Sequence, residues 1–315
     1  MKVSVVVTCF NEEATIVRLL DSLLKQTRKP QEIVIVDGGS TDQTVPIIKQ
    51  FIQKHSLIRL VEEKGTIAHG RNVSIQNAKY PVIAQTDAGC TANRHWLARI
   101  TQPLEDKQIG LVAGFYYMTG RKPLQKAIAP FFGVPRERFD PRCFLPSGRS
   151  VAFRKHVWQE VGGYSEKLER AGEDTLFNYQ VLRKGIPLVR VQNALVYWEV
   201  PKSYWECVKK FYFYAKGDAQ AGIWWHPAQK LSTHNIKISL IFARYFIAFI
   251  LFLLSFAIPI LGLLLVVGFI FYVAWASRKF RDVVNDPVAQ MWVPILQITA
   301  DLSVMAGFAS GILRK

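Results

Sequence analysis

The sequence lacks the signatures of several protein classes. Its four cysteines are scattered, without a CxxC pair or the spacing of a disulfide framework, which indicates a reduced, cytosol-facing protein. No GxGxxG follows the first predicted strand and no GxxxxGK[ST] loop is present, so neither a dinucleotide-binding fingerprint nor a P-loop is supported. The N-terminal segment is too short and wrongly flanked for a signal peptide. We therefore expect the N-terminal part to stay in the cytoplasm.

Acidic residues are scarce relative to basic ones. The chain has 40 Lys and Arg against 24 Asp and Glu, which gives a formal net charge of +16. Such an excess indicates anionic partners: nucleic acid, phosphate-bearing ligands or acidic lipid. Zinc-ligand spacing, RNP-like aromatic motifs and an arginine-rich tail are missing, and this argues against nucleic acid. The expected partners are thus a phosphate-bearing ligand and anionic lipid headgroups.

Charge is absent from a long stretch near the C-terminus. Residues 245–276 contain no charged side chain, and as one helix they would rise about 48 Å, against a hydrocarbon core of about 30 Å. Pro259 predicts a division into a hairpin, with spans at roughly 238–258 and 260–276. A third apolar segment, 288–313, either spans the membrane or re-enters it. The basic loop that follows the hairpin, residues 278–282, is expected on the cytoplasmic side by the positive-inside rule, which is the side of the catalytic domain.

Strand and helix patterns alternate in the first hundred residues. The predicted strands are 3–8, 32–37, 57–61 and 81–87, and the first is followed by helical periodicity over 11–26. This alternation predicts a mostly parallel α/β sheet, whose ligands bind beyond the carboxyl ends of the strands. Asn11, Asp37 and Asp87 come just after three of these strands. We expect their side chains to converge on one edge of the sheet.

Two further segments carry candidate functional residues. Glu173 and Asp174 begin a predicted helix, where acids are also favoured by the helix dipole, by about 0.3–1 kcal/mol each. Residues 203–217 mix aromatic side chains with lysines, which is typical of an amphipathic helix in the headgroup region and also of an ordinary surface helix. Lys216, at the end of this segment, is a candidate phosphate contact.

Six segments in order resemble the family 2 glycosyltransferases of the GT-A fold. They cover roughly residues 1–221 and read VVVTCFNEE, IVDGGSTDQT, EKGTIAHGRN, TDAGC, GGYSE and GEDTLFNYQVLRKG. The resemblance implies an α/β fold: a GT-A, Rossmann-like mixed sheet flanked by helices and followed by C-terminal transmembrane helices. The expected domains are a glycosyltransferase domain at 1–225 and a membrane domain at 236–315.

The resemblance also implies roles for site residues. Asn11, Glu12 and Asp37 match positions that contact the base and ribose of a nucleotide diphosphate sugar, most often UDP-linked. Arg71 would lie near this donor. Asp87 matches the first acid of the DXD motif, which binds ribose and a divalent metal, Mg²⁺ or Mn²⁺.

The predicted acid–base chemistry lies at a separate position. Asp174 matches the general base that deprotonates the acceptor hydroxyl in an inverting displacement, and Glu173 beside it would raise its pKa. A divalent ion neutralises the charge of the leaving diphosphate, held by one or two carboxylates. Two separate acidic positions are therefore expected.

The sequence departs from the family pattern at three points. Gly89 replaces the second acid of DXD, so Asp87 is the single side-chain carboxylate in its loop. Cys9 stands where many relatives have Pro, and the QxxRW segment of processive synthases is missing. The last absence favours a single transfer to a lipid or membrane-presented glycan over polysaccharide synthesis.

The predicted function is a membrane-anchored, inverting, metal-dependent glycosyltransferase of the inner membrane, with its oligomeric state left open. One alternative is a polyprenyl-phosphate glycosyltransferase, and another is a catalytically degenerate GT-A domain serving as a scaffold subunit. Individual residues also have plainer interpretations. Asp37 would cap the following helix, Asp87 would be a turn residue, and Arg71 would pair with Glu62 or Glu63.

Overall fold

The computed structural model describes residues 1–168, 170–226, 230 and 233–313. Arg314 and Lys315, the end of the predicted membrane domain, lie outside the described residues. The strands are β1 Val3–Cys9, β2 Glu32–Asp37, β3 Ile58–Glu62, β4 Val82–Asp87, β5 Cys90–Ala92, β6 Leu111–Thr119, β7 Val151–Arg154 and β8 Leu188–Glu199. The helices are α1 Ile16–Leu24, α2 Thr44–Lys54, α3 Ile67–Asn77, α4 Trp96–Thr101, α5 Pro123–Phe132, α6 Lys155–Glu160, α7 Glu173–Arg183, α8 Tyr204–Ala221, α9 His234–Leu254, α10 Pro259–Arg278 and α11 Pro287–Leu313.

The chain forms two compact units. The first contains residues 1–118 and 138–199, and the second contains 119–137 and 200–315. The division into sequence domains at 1–225 and 236–315 stays a prediction.

The first unit is built on a mixed sheet with the strand order β3-β2-β1-β4-β7-β6-β8-β5. Strands β1 to β4 are parallel, whereas β7 runs antiparallel to both β4 and β6. Strands β1, β2 and β4 are buried on both faces, as their apolar sequences predict, whereas β3 is half-exposed. Helix α1 covers this sheet with four buried apolar residues at helical spacing: Ile16, Leu19, Leu20 and Leu23. The predicted GT-A-like mixed sheet with flanking helices is confirmed.

The first helix begins later than its periodicity predicts. Asn11 has a φ of 54°, which a helix does not allow. The Glu12 carbonyl then accepts the N–H groups of Thr15 and Ile16, each at 2.9 Å, so residues 11–15 form a turn. The prediction of helix over 11–26 is therefore wrong for its first residues. The consequence is that Asn11 and Glu12 lie in a loop at the end of β1.

The second unit consists of α5, α8, α9, α10 and α11 with their connections. Among the described residues, the helices long and apolar enough to cross a membrane are α9, α10 and α11. The predicted C-terminal apolar helices are thereby confirmed, and the turn between α9 and α10 lies immediately before Pro259, as predicted. A buried carboxylate, Asp301 of α11, joins all three by accepting hydrogen bonds from Arg244 and Tyr272.

Helix α11 also packs closely on α8. A Cβ added at Gly307 would lie 2.1 Å from the carbonyl oxygen of Tyr212, and one at Gly311 would lie 2.6 Å from that of Lys216. The two glycines, four residues apart on one face of α11, thus let the helix backbones approach each other. The interfacial position of α8 stays a prediction.

Candidate functional site

Three strand ends of the sheet deliver polar residues to the same edge. Thr8 of β1 lies opposite Val36 of β2 on one side and opposite Asp87 of β4 on the other. Since these strands are parallel neighbours, the loops that follow them leave the sheet side by side. The structure thus brings together the loops that carry Asn11, Asp37 and Asp87.

Asp37 organises the loop after β2. Its Oδ2 accepts the N–H groups of Gly39 and Ser40 at 2.9 and 2.8 Å, and its Oδ1 accepts the Ser40 hydroxyl at 2.5 Å. Helix α2 begins only at Thr44, so Asp37 does not cap it. The buried Asp37 carboxylate therefore fixes the loop conformation.

Asn11 ties the loop after β1 to the loop after β2. Its Oδ1 accepts the N–H of Thr41 at 2.8 Å, and its own N–H donates to the hydroxyl of Ser40 at 2.8 Å. The left-handed backbone of Asn11 is one that asparagine adopts more readily than most residues. The two loops therefore form one hydrogen-bonded rim at this edge.

Arg71 of α3 joins the two predicted acidic positions. Its guanidinium is 2% exposed, with Nη2 3.0 Å from Asp87 Oδ1 and Nη1 bonded to Glu173 Oε1. Burial lowers the pKa of Arg71, but the attraction of Asp87 and Glu173 outweighs burial and raises it. One buried cation is therefore shared by two carboxylates from distant parts of the sequence.

The alternative pairing of Arg71 with Glu62 or Glu63 is wrong. Glu62 pairs with Lys49 at 2.7 Å, and Glu63 accepts from His69 at 2.7 Å. Arg71 lies on the buried side of α3, while these acids lie at the surface at the end of β3. Arg71 therefore points from α3 into the interior, where it meets the carboxylates of Asp87 and Glu173.

The main chain at Gly148 closes over the guanidinium of Arg71. A Cβ added there would lie 2.1 Å from Arg71 Nη2, so no larger residue fits without displacement. The N–H of Gly148 donates to Asp174 Oδ2 at 3.2 Å. The segment before β7 thus connects Arg71 with the predicted general base.

Glu173 and Asp174, in the first turn of α7, have different environments. Glu173 is buried, and burial together with the neighbouring Asp174 raises its pKa to about 7, although Arg71 acts in the opposite direction. Asp174 is half-buried and accepts from Gly148 on one oxygen and from its own helix at Thr175 on the other. Of the two acids, Asp174 is the one that is partly exposed to solvent.

The space beside Gly89 is filled by other side chains. A Cβ added at Gly89 would lie 3.3 Å from Trp198 Nε1 and 3.7 Å from Glu12 Oε1. The guanidinium carbon of Arg149 lies 4.0 Å above the Trp198 ring. These neighbours come from β8, from the loop after β1 and from the segment before β7. The loop after Asp87 is thus surrounded by an acid, an indole and a cation.

The described residues contain no cluster of three or more His, Cys, Asp or Glu side chains arranged as a preformed metal site. A magnesium-type ion is usually held by one or two carboxylates together with substrate phosphates. Asp87 is partly exposed, binds Arg71 through one oxygen and has a second oxygen for an ion. The residues therefore fit a divalent ion that binds together with a diphosphate.

Lys216 lies in the second compact unit, buried in α8 beside Gly311. Its role as a phosphate contact stays a prediction. Three residues of the site escaped sequence reasoning: Gly148, Arg149 and Trp198. The run PSGRS before β7, with a small residue and a cation side by side, was the available signal for the first two.

Comparisons with known proteins find matches to glycosyltransferases. Residues 4–160 match the model of glycosyl transferase family 2. The uncharacterized glycosyltransferase EpsJ of Bacillus subtilis (strain 168) is 26% identical over 217 residues, which cover 64% of this chain and 62% of EpsJ. For the first curated relatives, the aligned part covers less than two thirds of their own length.

Solved structures show the same fold. The mannosyltransferase PcManGT from Pyrobaculum calidifontis, in complex with GDP-Man and Mn²⁺, superimposes with a TM-score of 0.71 at 20% identity, covering 100% of this chain and 88% of that one. GalNAc-T7, with UDP, GalNAc and Mn²⁺, has a TM-score of 0.51 at 19% identity over 74% of this chain and 52% of that one. At these identities the likeness shows the GT-A fold.

Proposed function

We propose that this chain, which belongs to glycosyl transferase family 2, transfers a sugar from a nucleotide diphosphate sugar to a lipid or membrane-presented glycan acceptor with inversion of configuration. The observation that carries the proposal is the pairing of buried Arg71 with both Asp87 and Glu173, with Asp174 beside them. This arrangement joins a position for the donor diphosphate to a position for a general base. A single displacement of the sugar requires both.

Each residue of the proposed site acts through its own contacts. Asn11 and Asp37 form the rim that receives the base and ribose, and Arg71 holds Asp87 and the start of α7 in place. Asp87 would hold a divalent ion, which supplies neutralisation of the diphosphate charge when it is bound. Asp174 takes the proton of the acceptor hydroxyl as the acceptor oxygen bonds to the anomeric carbon and the nucleoside diphosphate leaves.

The nucleotide of the donor is either UDP or GDP in the two solved structures above, which share this fold. One solved structure of this fold holds GDP-Man, and the other holds UDP with GalNAc. We propose a UDP-linked sugar as the donor, because the segments that carry the family resemblance most often accompany UDP. A GDP-linked sugar is the alternative that the experiment must include.

The membrane location follows from the second unit. Helices α9, α10 and α11 provide the anchor, and the basic residue Arg278 ends α10, with Lys279 and Arg281 following it. By the positive-inside rule, these basic residues lie on the cytoplasmic side of the inner membrane. We place the catalytic unit on that side, where nucleotide sugars are available. Labelling of a cysteine introduced at Ser277 in sealed inverted vesicles, but not in intact cells, would support this orientation.

The test of the proposed function is a panel of UDP- and GDP-sugars offered to detergent-purified protein with Mg²⁺ or Mn²⁺. Release of nucleoside diphosphate from one donor is expected, and it should increase when membrane lipid extract supplies an acceptor. Release from no donor in either condition would contradict the enzyme and favour the scaffold alternative. A D87A variant serves as the control for contaminating hydrolases, because it should release nothing while remaining folded.

A further inference from the structure

Glu12 lies against the loop that lacks a second acid. An added Cβ at Gly89 would be 3.7 Å from Glu12 Oε1. Thr8 and Asp87 are register partners in neighbouring strands, so Glu12, four residues after Thr8, and Gly89, two residues after Asp87, leave the sheet together. The carboxylate of Glu12 therefore lies where a side chain at position 89 would extend.

The conformation of Glu12 is fixed on all sides. Its N–H donates to the Thr44 hydroxyl at 2.7 Å, and its carbonyl accepts from Thr15 and Ile16 at 2.9 Å each. The Thr15 hydroxyl donates to Oε2 of the carboxylate. This bond directs the other oxygen, Oε1, towards Gly89. A ligand held in this way loses little conformational freedom when an ion binds.

Gly89 itself has no conformational reason to be glycine. It does not adopt a left-handed backbone, unlike Gly39 or Gly172. What distinguishes position 89 is its surroundings, since the Trp198 indole and the Glu12 carboxylate both approach it. The lack of a side chain leaves room for Glu12.

From this geometry we infer that Glu12 supplies the second carboxylate ligand of the divalent ion that Asp87 holds with the donor diphosphate. The inference rests on the proposed function. It gives Glu12 a role different from the base and ribose contact that the family resemblance implies. Two carboxylates and two phosphate oxygens, with water, complete the oxygen coordination that Mg²⁺ and Mn²⁺ prefer.

The experiment measures Mn²⁺ binding directly, by the electron paramagnetic resonance signal of free Mn²⁺, on full-length detergent-purified protein with UDP or GDP present. In E12Q, the amide retains an oxygen that accepts from Thr15 but loses the charge. We expect Mn²⁺ affinity to fall about tenfold or more. Binding of the same nucleotide in EDTA should equal that of the wild type. E13Q is the matched control, because the exposed Glu13 carboxylate accepts the N–H of Gln43, and its replacement should leave Mn²⁺ affinity unchanged.

The double variant E12Q/G89D tests whether an acid at position 89 can replace Glu12 as a ligand of the ion. The Cβ of an aspartate at position 89 needs a shift of only a few tenths of an ångström at Trp198. It should restore part of the Mn²⁺ affinity that E12Q loses, and G89A on its own shows that a side chain is tolerated there.

Two results would overturn the inference. One is an E12Q protein that binds Mn²⁺ as tightly as the wild type. The other is a loss of nucleotide affinity that is as large in EDTA as in Mn²⁺, which would make Glu12 a contact of the nucleotide itself. Failure of the proposed function gives a different pattern, because the wild type would then bind neither UDP nor GDP under any condition.

Discussion

Replacing Arg71 by Met should destabilise the first unit strongly and in a pH-dependent way. Met retains much of the buried volume but removes the cation that Asp87 and Glu173 share. Breaking a buried pair by removing one partner costs about 3–5 kcal/mol, since an uncompensated charge remains. At about 2–4 °C per kcal/mol for a domain of this size, the thermal midpoint should fall by roughly 6–20 °C.

The pH dependence follows from Glu173. In the wild type its pKa is about 7, against an unfolded value of 4.5, so the folded state binds the proton more tightly and stability falls as pH rises between these values. Above pH 7 the wild-type contribution is constant. Without Arg71 the folded pKa rises further, and the decline continues above pH 7 by up to about 1.4 kcal/mol per pH unit.

The measurement is the tryptophan fluorescence melting of both proteins at pH 6, 7 and 8.5. The gap between R71M and wild type should widen from pH 7 to 8.5. R18M is the matched control, because the Arg18–Glu199 pair is exposed on both sides and such pairs contribute at most about 1 kcal/mol. A melting point of R71M within 2 °C of the wild type, or a gap independent of pH above 7, would refute the assigned charge sharing.

Three other substitutions test single contacts. D174N should lower kcat by about 10²–10⁴ with unchanged nucleotide affinity; a near-normal kcat in the transfer assay would favour a phosphate acceptor, which needs little help from a base. G148A should lower the melting temperature, because its Cβ meets Arg71 at 2.1 Å and overpacking costs about 1–3 kcal/mol. D301N should destabilise the membrane helices in detergent melting by about 3 kcal/mol, since Arg244 loses its partner; D286N, whose carboxylate is less buried than that of Asp301, is the control.

The parallel half of the sheet was predictable because its signal is local. Runs rich in β-branched residues, which end at or just before Asn11, Asp37 and Asp87, indicate both the strand and the edge that it reaches. The apolar helices α9 and α10 were predictable for the same reason, because a stretch without charge and a central proline are visible in the sequence.

What could not be predicted depends on pairing between distant segments. Strand β8 contains Arg190, Gln192 and Asn193, and its pairing with β6 and β5 makes it part of the sheet. The partner of Arg71 was missed because Glu63 is near in sequence, whereas Glu173 is 102 residues away. The side of α3 on which Arg71 lies decides which of these acids it meets. Which side of a helix is buried depends on tertiary packing. For the same reason, the approach of Trp198 and Glu12 to Gly89 has no local signature.

The charge of the site is opposite in sign to that of the chain. The whole protein carries +16, yet its proposed centre brings Asp87, Glu173 and Asp174 around buried Arg71, with Glu12 beside Gly89 and Arg149 over the Trp198 ring. A diphosphate donor would be repelled by these acids on its own, so a divalent ion that enters with it is the natural complement of the site. The raised pKa of Glu173, about 7, lessens the negative charge of the site, because part of the Glu173 population is then neutral at physiological pH. The basic excess lies elsewhere in the sequence, including lysines of α8 and the basic residues at and after the end of α10, where an anionic membrane surface is its expected counterpart.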